Sequence, residues 1–181
     1  MDMVKPRRGP EGLLGDKPCL TATATLLFET IAKRRKVFEF GAGGSTLWLA
    51  KIAYSVTSVE DDRAWYEEIK ARLEAAAIDK VEMIHAPTNE MHKAIDGLGE
   101  FSVIYVDPMD QKARVRCIAA SVAHVKRGGY LVADDYNFPG VKRQIDKLRG
   151  KWGVAIVAGT KVHSIRGVMM ATSTAFCRRP E

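Results

Sequence analysis

The chain has 181 residues, 46% hydrophobic and 28% charged, with a formal net charge of +6, a profile that fits one globular domain long enough to bury a core. It has no run of about 18 apolar residues, which excludes a membrane-spanning helix. The opening MDMVKPRRGPEGLLGDKP lacks the apolar stretch of a secretory signal, so a cytoplasmic location is expected. Cys19, Cys117 and Cys177 are odd in number and without paired spacing, which points to neither a disulfide framework nor a zinc site.

Residues 1–18, with three prolines and three glycines, read as a flexible lead-in, and residues 19–181 as a single domain. Ala24, Leu27, Phe28 and Ile31 follow helical spacing between Thr21 and Arg35. The basic run Lys33 to Lys36 closes that helix, where positive charge complements the helix C-terminus. A nucleic-acid patch is the less favoured reading of the run. A strand over Val37 to Phe40 ends in Gly-Ala-Gly-Gly, and Ser45 is placed to cap a helix over Thr46 to Ile52. Tyr54 to Val59 is a second strand ending in Glu60-Asp61-Asp62. Asp62 caps a helix with the stripe Trp65, Ile69, Leu73 and Ala76. Val81 to His85 is a third strand, with a short helix near Asn89 to Asp96.

Phe101 to Val106 is an apolar run but for Ser102, as suits a strand covered on both faces of a parallel sheet, and it stops at Asp107-Pro108. The next helix shows Val115, Ile118, Ala119, Val122 and Val125, and Lys126-Arg127-Gly128-Gly129 reads as its stop. Tyr130 to Ala133 is a fifth strand, ending in Asp134-Asp135-Tyr136. Val141, Ile145 and Leu148 mark a last helix. Val154 to Ala158 and Val168 to Phe176 close the chain as two strands with no helical pattern between them. The alternation implies a doubly wound, mostly parallel α/β sheet of seven strands with one antiparallel strand at its edge.

Ligands of such sheets bind beyond the carboxyl ends of the strands, and this chain gathers its unusual residues there: Glu39, Gly41, Gly43, Glu60, Asp107, Asp134 and Asp135. Gly41 and Gly43 allow a ligand close to the backbone. Glu60, 19 residues past Gly41, has the spacing of a ribose-binding acid. A nucleoside-containing cofactor follows. Thr46 stands where a dinucleotide fingerprint needs its third glycine, and Glu39 disfavours a pyrophosphate while suiting a cationic amino group or sulfonium. S-adenosylmethionine is therefore favoured over NAD.

Glu39-Phe40-Gly41-Ala42-Gly43-Gly44-Ser45 resembles the first motif of the class I S-adenosylmethionine-dependent methyltransferases, with Glu60 matching their ribose-binding acid. The likeness runs from about residue 21 to 177 and implies the Rossmann-like methyltransferase fold. It implies cofactor contacts at Glu39, Gly41, Ala42, Gly43, Ser45, Glu60, Asp61 and Asp107, with His85 where many members carry an adenine-contacting aspartate. The stretch Val125 to Tyr136 resembles the metal-dependent O-methyltransferases of the macrocin and catechol type. That resemblance implies Mg²⁺ at Asp107, Asp134 and Asp135, three carboxylates that would otherwise repel one another. Asp134 and Asp135 are adjacent and converge only if the chain leaves strand geometry.

The expected reaction is O-methylation of a small hydroxylated acceptor, with Asp107, Asp110 and Lys112 as candidate catalytic groups. Methylation of RNA or protein, and a cofactor-binding module without catalysis, are the alternatives. No amide- or amine-methylating signature follows the fourth strand, which continues Asp107-Pro108-Met109-Asp110. His92, His124 and His163 have no metal-ligand spacing. The lead-in has two roles open to it, as a lid over the pocket or as a contact in a homodimer.

Overall fold

The computed structural model of the chain describes residues 16–162 and 169–181. Residues 1–15 of the expected lead-in, His163 and Val168 lie outside the described residues. Among the described residues, five α-helices and seven strands follow one another as α1 (Ala22–Ala32), β1 (Lys36–Phe40), α2 (Gly44–Ile52), β2 (Ser55–Glu60), α3 (Arg63–Ala75), β3 (Val81–His85), β4 (Phe101–Val106), α4 (Gln111–His124), β5 (Val125–Ala133), α5 (Pro139–Asp146), β6 (Gly153–Val162) and β7 (Met169–Arg178). The short helix expected near Asn89 is a 3-10 turn over Met91–Ile95, anchored by fully buried Met91 and Ile95. Among the described residues no helix is long and apolar enough to cross a membrane.

The strands form one sheet in the order β3-β2-β1-β4-β5-β7-β6. β1 to β5 run parallel, and β7 is antiparallel to both of its neighbours. The antiparallel strand is therefore inserted between β5 and β6 rather than lying at the edge as expected. Side chains alternate between two layers, as the pleat requires. Phe38, Phe40, Ile104, Val106 and Leu131 face a cluster with Ile118 of α4 and Val141 and Ile145 of α5. Val37, Val103, Tyr105 and Val132 face Phe28 of α1 and Trp48 of α2. All six residues of β4 are buried, Ser102 among them, as suits a strand that is apolar at its other positions.

Thr21 caps α1 by accepting the Ala24 N–H at 3.2 Å, and Asp62 caps α3 by accepting the Trp65 N–H at 3.1 Å. Ser45 does not cap α2, which starts two residues earlier than expected, at Gly44, with Gly43 at its N-cap. Thr46 serves instead, its hydroxyl accepting the Gly43 N–H at 2.8 Å. Lys126 to Gly129 do not stop α4, which ends at His124. They form a bulge inside β5: between the pairs Phe101–Val125 and Val103–Tyr130, two steps along β4 face five along β5. Gly128 has φ +68°, and a side chain on Gly129 would strike the carbonyls of Lys126 and Ser102 at 2.8 Å, so the glycine pair makes the bulge possible.

Candidate active site

The exits of neighbouring parallel strands are tied by one ladder of backbone bonds. Ala86 N–H donates to the Glu60 carbonyl at 3.0 Å, Gly41 N–H to Val59 at 2.8 Å, Asp107 N–H to Phe40 at 2.9 Å and Asp134 N–H to Val106 at 3.2 Å. The site is thus a row of loops held in register, with the reversal of strand order between β1 and β4. Gly41 has φ +90°, and a Cβ there would lie 2.6 Å from the Asp107 carbonyl oxygen and 2.9 Å from Pro108 Cα. The first loop's glycine therefore admits the backbone of the fourth loop, a closer packing than its expected approach to a ligand required.

Glu39 is fully buried, and its Oε2 accepts the Thr46 hydroxyl at 2.5 Å and the Ser58 hydroxyl at 2.6 Å. It braces β1, α2 and β2 from beneath the glycine loop. Gly41, Ala42, Gly43 and Ser45 are all buried, and the Ala42 carbonyl accepts the Trp65 indole N–H at 2.8 Å. Trp65, expected only as part of a helix stripe, thereby pins the loop from α3. Glu60 is buried at the exit of β2, and its Oε1 accepts the Asp62 N–H at 3.0 Å. Asp61 accepts the Thr88 hydroxyl. His85 pairs with Glu60 across β2 and β3 and meets the Tyr66 ring edge-to-face, with centroids 5.7 Å apart.

Asp107, Asp134 and Asp135 converge, each with a ligand-type oxygen within 4.8 Å of the others. The chain does leave strand geometry to achieve this: Asp135 has φ +56°, a left-handed conformation that aspartate tolerates better than most residues. The cluster's charge is met from within the chain. Arg114 of α4, its side chain 5% exposed, donates to Asp107 Oδ1 and to Asp135 Oδ2, both at 2.6 Å. It also donates to the Pro108 carbonyl at 2.8 Å. Lys161 of β6, its side chain 7% exposed, donates to Asp134 and lies 3.3 Å from Asp135 Oδ1. Two hydroxyls of β7 complete the set, Thr174 donating to Asp134 and Thr172 to Asp135, each at 2.9 Å. The Tyr105 hydroxyl donates to Asp107 Oδ2 at 3.1 Å.

Burial raises the Asp107 pKa to about 7, aided by the charges of Asp134 and Asp135 and opposed by Arg114 and Lys161. Burial also raises Asp134 against the pull of Lys161. On Asp135 burial pushes upward too, but Arg114 and Lys161 win and hold it below the ordinary carboxylate range. Burial alone would weaken the charge on Arg114 and Lys161, yet the surrounding carboxylates hold both above their ordinary values. Both cations stay charged.

This donor set does not fit the Mg²⁺ expected from the resemblance. All six carboxylate oxygens already accept a bond from the chain, and the ammonium of Lys161 sits against two of the three would-be ligands. A dication held about 4 Å from an ammonium is repelled by about 8 kcal/mol at an effective dielectric of about 20. The two other residues named for proton transfer stand apart from the cluster's bonds. Asp110 caps α4, accepting the Ala113 N–H at 2.7 Å, and Lys112 is an exposed side chain in its first turn.

Sequence reasoning missed Arg114 and Lys161. The buried stripe of α4 is Ala113, Arg114, Cys117, Ile118 and Ser121, offset from the expected Val115-Ala119-Val122 face, of which Ala119 is exposed. The signal was available in the helical period itself, since Arg114, Cys117, Ile118, Ser121 and Val125 share one face. Lys161 lay past the expected end of β6 at Ala158.

No protein-family model and no curated protein sequence matches the chain. Its fold matches solved structures. The O-methyltransferase TomG of Streptomyces achromogenes, involved in tomaymycin synthesis and bound to SAM, is similar at TM-score 0.67 and 20% identity over 86% of this chain and 77% of that one. An O-methyltransferase of Bacillus cereus bound to SAH gives 0.68 and 19% over 88% and 82%. An rRNA methylase of Streptococcus thermophilus gives 0.63 and 11% over 88% and 95%. Seven strands in this order, with the glycine loop leaving the first and the acidic residue ending the second, are thus the Rossmann-like fold of the class I methyltransferases.

Proposed function

We propose that the protein is an S-adenosylmethionine-dependent methyltransferase that methylates a hydroxyl of a small acceptor. The observation that carries the reading is the set of strand exits at the reversal of strand order, where the Gly41 turn packs too closely on the loop after β4 for any side chain and the carboxylate of Glu60 is oriented at the neighbouring exit. The residues present fit an adenosyl group. Glu60 and Asp61 stand at the exit of β2 as carboxylates suited to ribose hydroxyls, and the rings of Tyr66 and His85, set edge-to-face, offer aromatic surface for a base. The cofactor, when bound, supplies the methyl group.

The chain's own part is to hold donor and acceptor in line and keep water out. Asp107, with its pKa near 7, is the group suited to take the proton of the acceptor hydroxyl at neutral pH. Arg114 and Tyr105 fix the orientation of its carboxyl. A small acceptor is favoured over nucleic acid because the basic run is not at this end of the sheet. It runs from the C-cap of α1 to the first residue of β1, and Arg35 and Lys36 stack over the rings of Tyr130 and Phe101 at 5.9 and 4.3 Å.

Calorimetric titration with S-adenosylhomocysteine, S-adenosylmethionine and NADH tests the reading. Binding of the first two, none of NADH, and at least about a tenfold loss in Glu60→Gln are expected. Failure to bind either adenosyl compound defeats the proposal.

A further inference from the structure

The β6–β7 hairpin brings three donors to the exit of β5. Lys161 is the buried residue near the end of β6, and it pairs with Met170 of β7. Thr172 and Thr174, two residues apart, present hydroxyls from one face of β7, one to each of the adjacent aspartates. With Arg114 reaching in from α4, the three carboxylates are bound by two cations. Two positive charges are what a single divalent ion would have brought.

We infer that the cluster is a cation site closed from within, in which the ammonium of Lys161 stands where a divalent metal would stand, making the protein metal-independent. Metal-independence of methyl transfer rests on the methyltransferase reading above, whereas closure of the cluster to cations does not. Lys161 is a positioning residue: it holds Asp134 and Asp135 together and sets the local charge without itself meeting a reactant. Removing its charge while nearly keeping its length leaves three carboxylates facing one guanidinium, a net deficit that a hard dication can fill.

The experiment is a titration with Mn²⁺ followed by the electron paramagnetic resonance of the free ion, on the wild-type chain and on Lys161→Met. Binding of S-adenosylhomocysteine is measured on the same samples. The wild type is expected to leave Mn²⁺ free up to about 1 mM and to melt at the same temperature in MgCl₂ and in EDTA at matched ionic strength. Lys161→Met is expected to bind at least tenfold more tightly than the wild type. Stoichiometric Mn²⁺ binding by the wild type overturns the inference, and so does a folded Lys161→Met that binds no better. Should Lys161→Met not fold, Lys161→Gln takes its place under the same criteria, and the wild-type titration decides closure by itself. Loss of S-adenosylhomocysteine binding with Mn²⁺ still excluded would count against the methyltransferase reading alone.

Discussion

Asp107 shows how a single side chain can inherit its properties from several elements. It ends β4, its side chain is 22% exposed, and the groups facing it are Arg114 from α4, Asp134 and Asp135 after β5, Lys161 from β6 and the Tyr105 hydroxyl. Its pKa of about 7 lies above the usual 3.8, so the folded chain holds a proton that the unfolded chain releases between those values. A raised carboxyl contributes stability that is present below about pH 4 and lost as the pH climbs through about 7. Measured against Asp107→Asn by urea unfolding, the wild type should therefore lose roughly 1 to 4 kcal/mol between pH 4 and pH 8. The difference should level off above pH 8. A pH-independent difference would refute the assignment of that proton to Asp107.

Between elements, the critical contact is backbone against backbone. The loop after β1 and the loop after β4 cross at Gly41, where a methyl group would meet the Asp107 carbonyl carbon at 2.8 Å as well as its oxygen. Neither partner is the yielding tip of a side chain, and φ +90° adds strain of its own. Gly41→Ala should cost about 3 kcal/mol or more in equilibrium unfolding. Gly97→Ala provides the control: φ is +79° but nothing lies within 4 Å, so only about 1 kcal/mol of left-handed strain is expected. Equal costs at the two sites would show that the loops do not pack as described.

Across the whole molecule, the two core layers on either face of the sheet protect the thiols unequally. Cys117 on α4 and Cys177 on β7 both lie in the larger core cluster, and burial raises each thiol to about 12. Cys19 precedes α1 and is half-buried. Reaction with a thiol reagent at pH 8 should give one fast equivalent per native chain and three after denaturation. The two slow thiols should follow the rate of global unfolding. Three fast equivalents would mean the core opens locally at α4 or β7.

Alternation of apolar segments and the length of each run determined the doubly wound architecture, because burying one face of a helix or both faces of a strand leaves a local, periodic mark. The positions of Glu60 and the glycine loop at the exits of β2 and β1 were legible for the same reason, since each is fixed by short spacing at a strand's end. The convergence of Asp107, Asp134 and Asp135 could be anticipated too, on the condition that the chain leave strand geometry; that it does so through a left-handed Asp135 came from the structure. The charge balance of that cluster could not. Arg114 lies seven residues from one partner and 21 from another, Lys161 lies 27 from Asp134, and Thr174 lies 40 from it. The packing of α4 brings Arg114 there, and the β6–β7 hairpin, with β7 against β5, brings Lys161 and Thr174. A buried charge is decided by whatever surrounds it in space, and pattern along the chain carries no record of that.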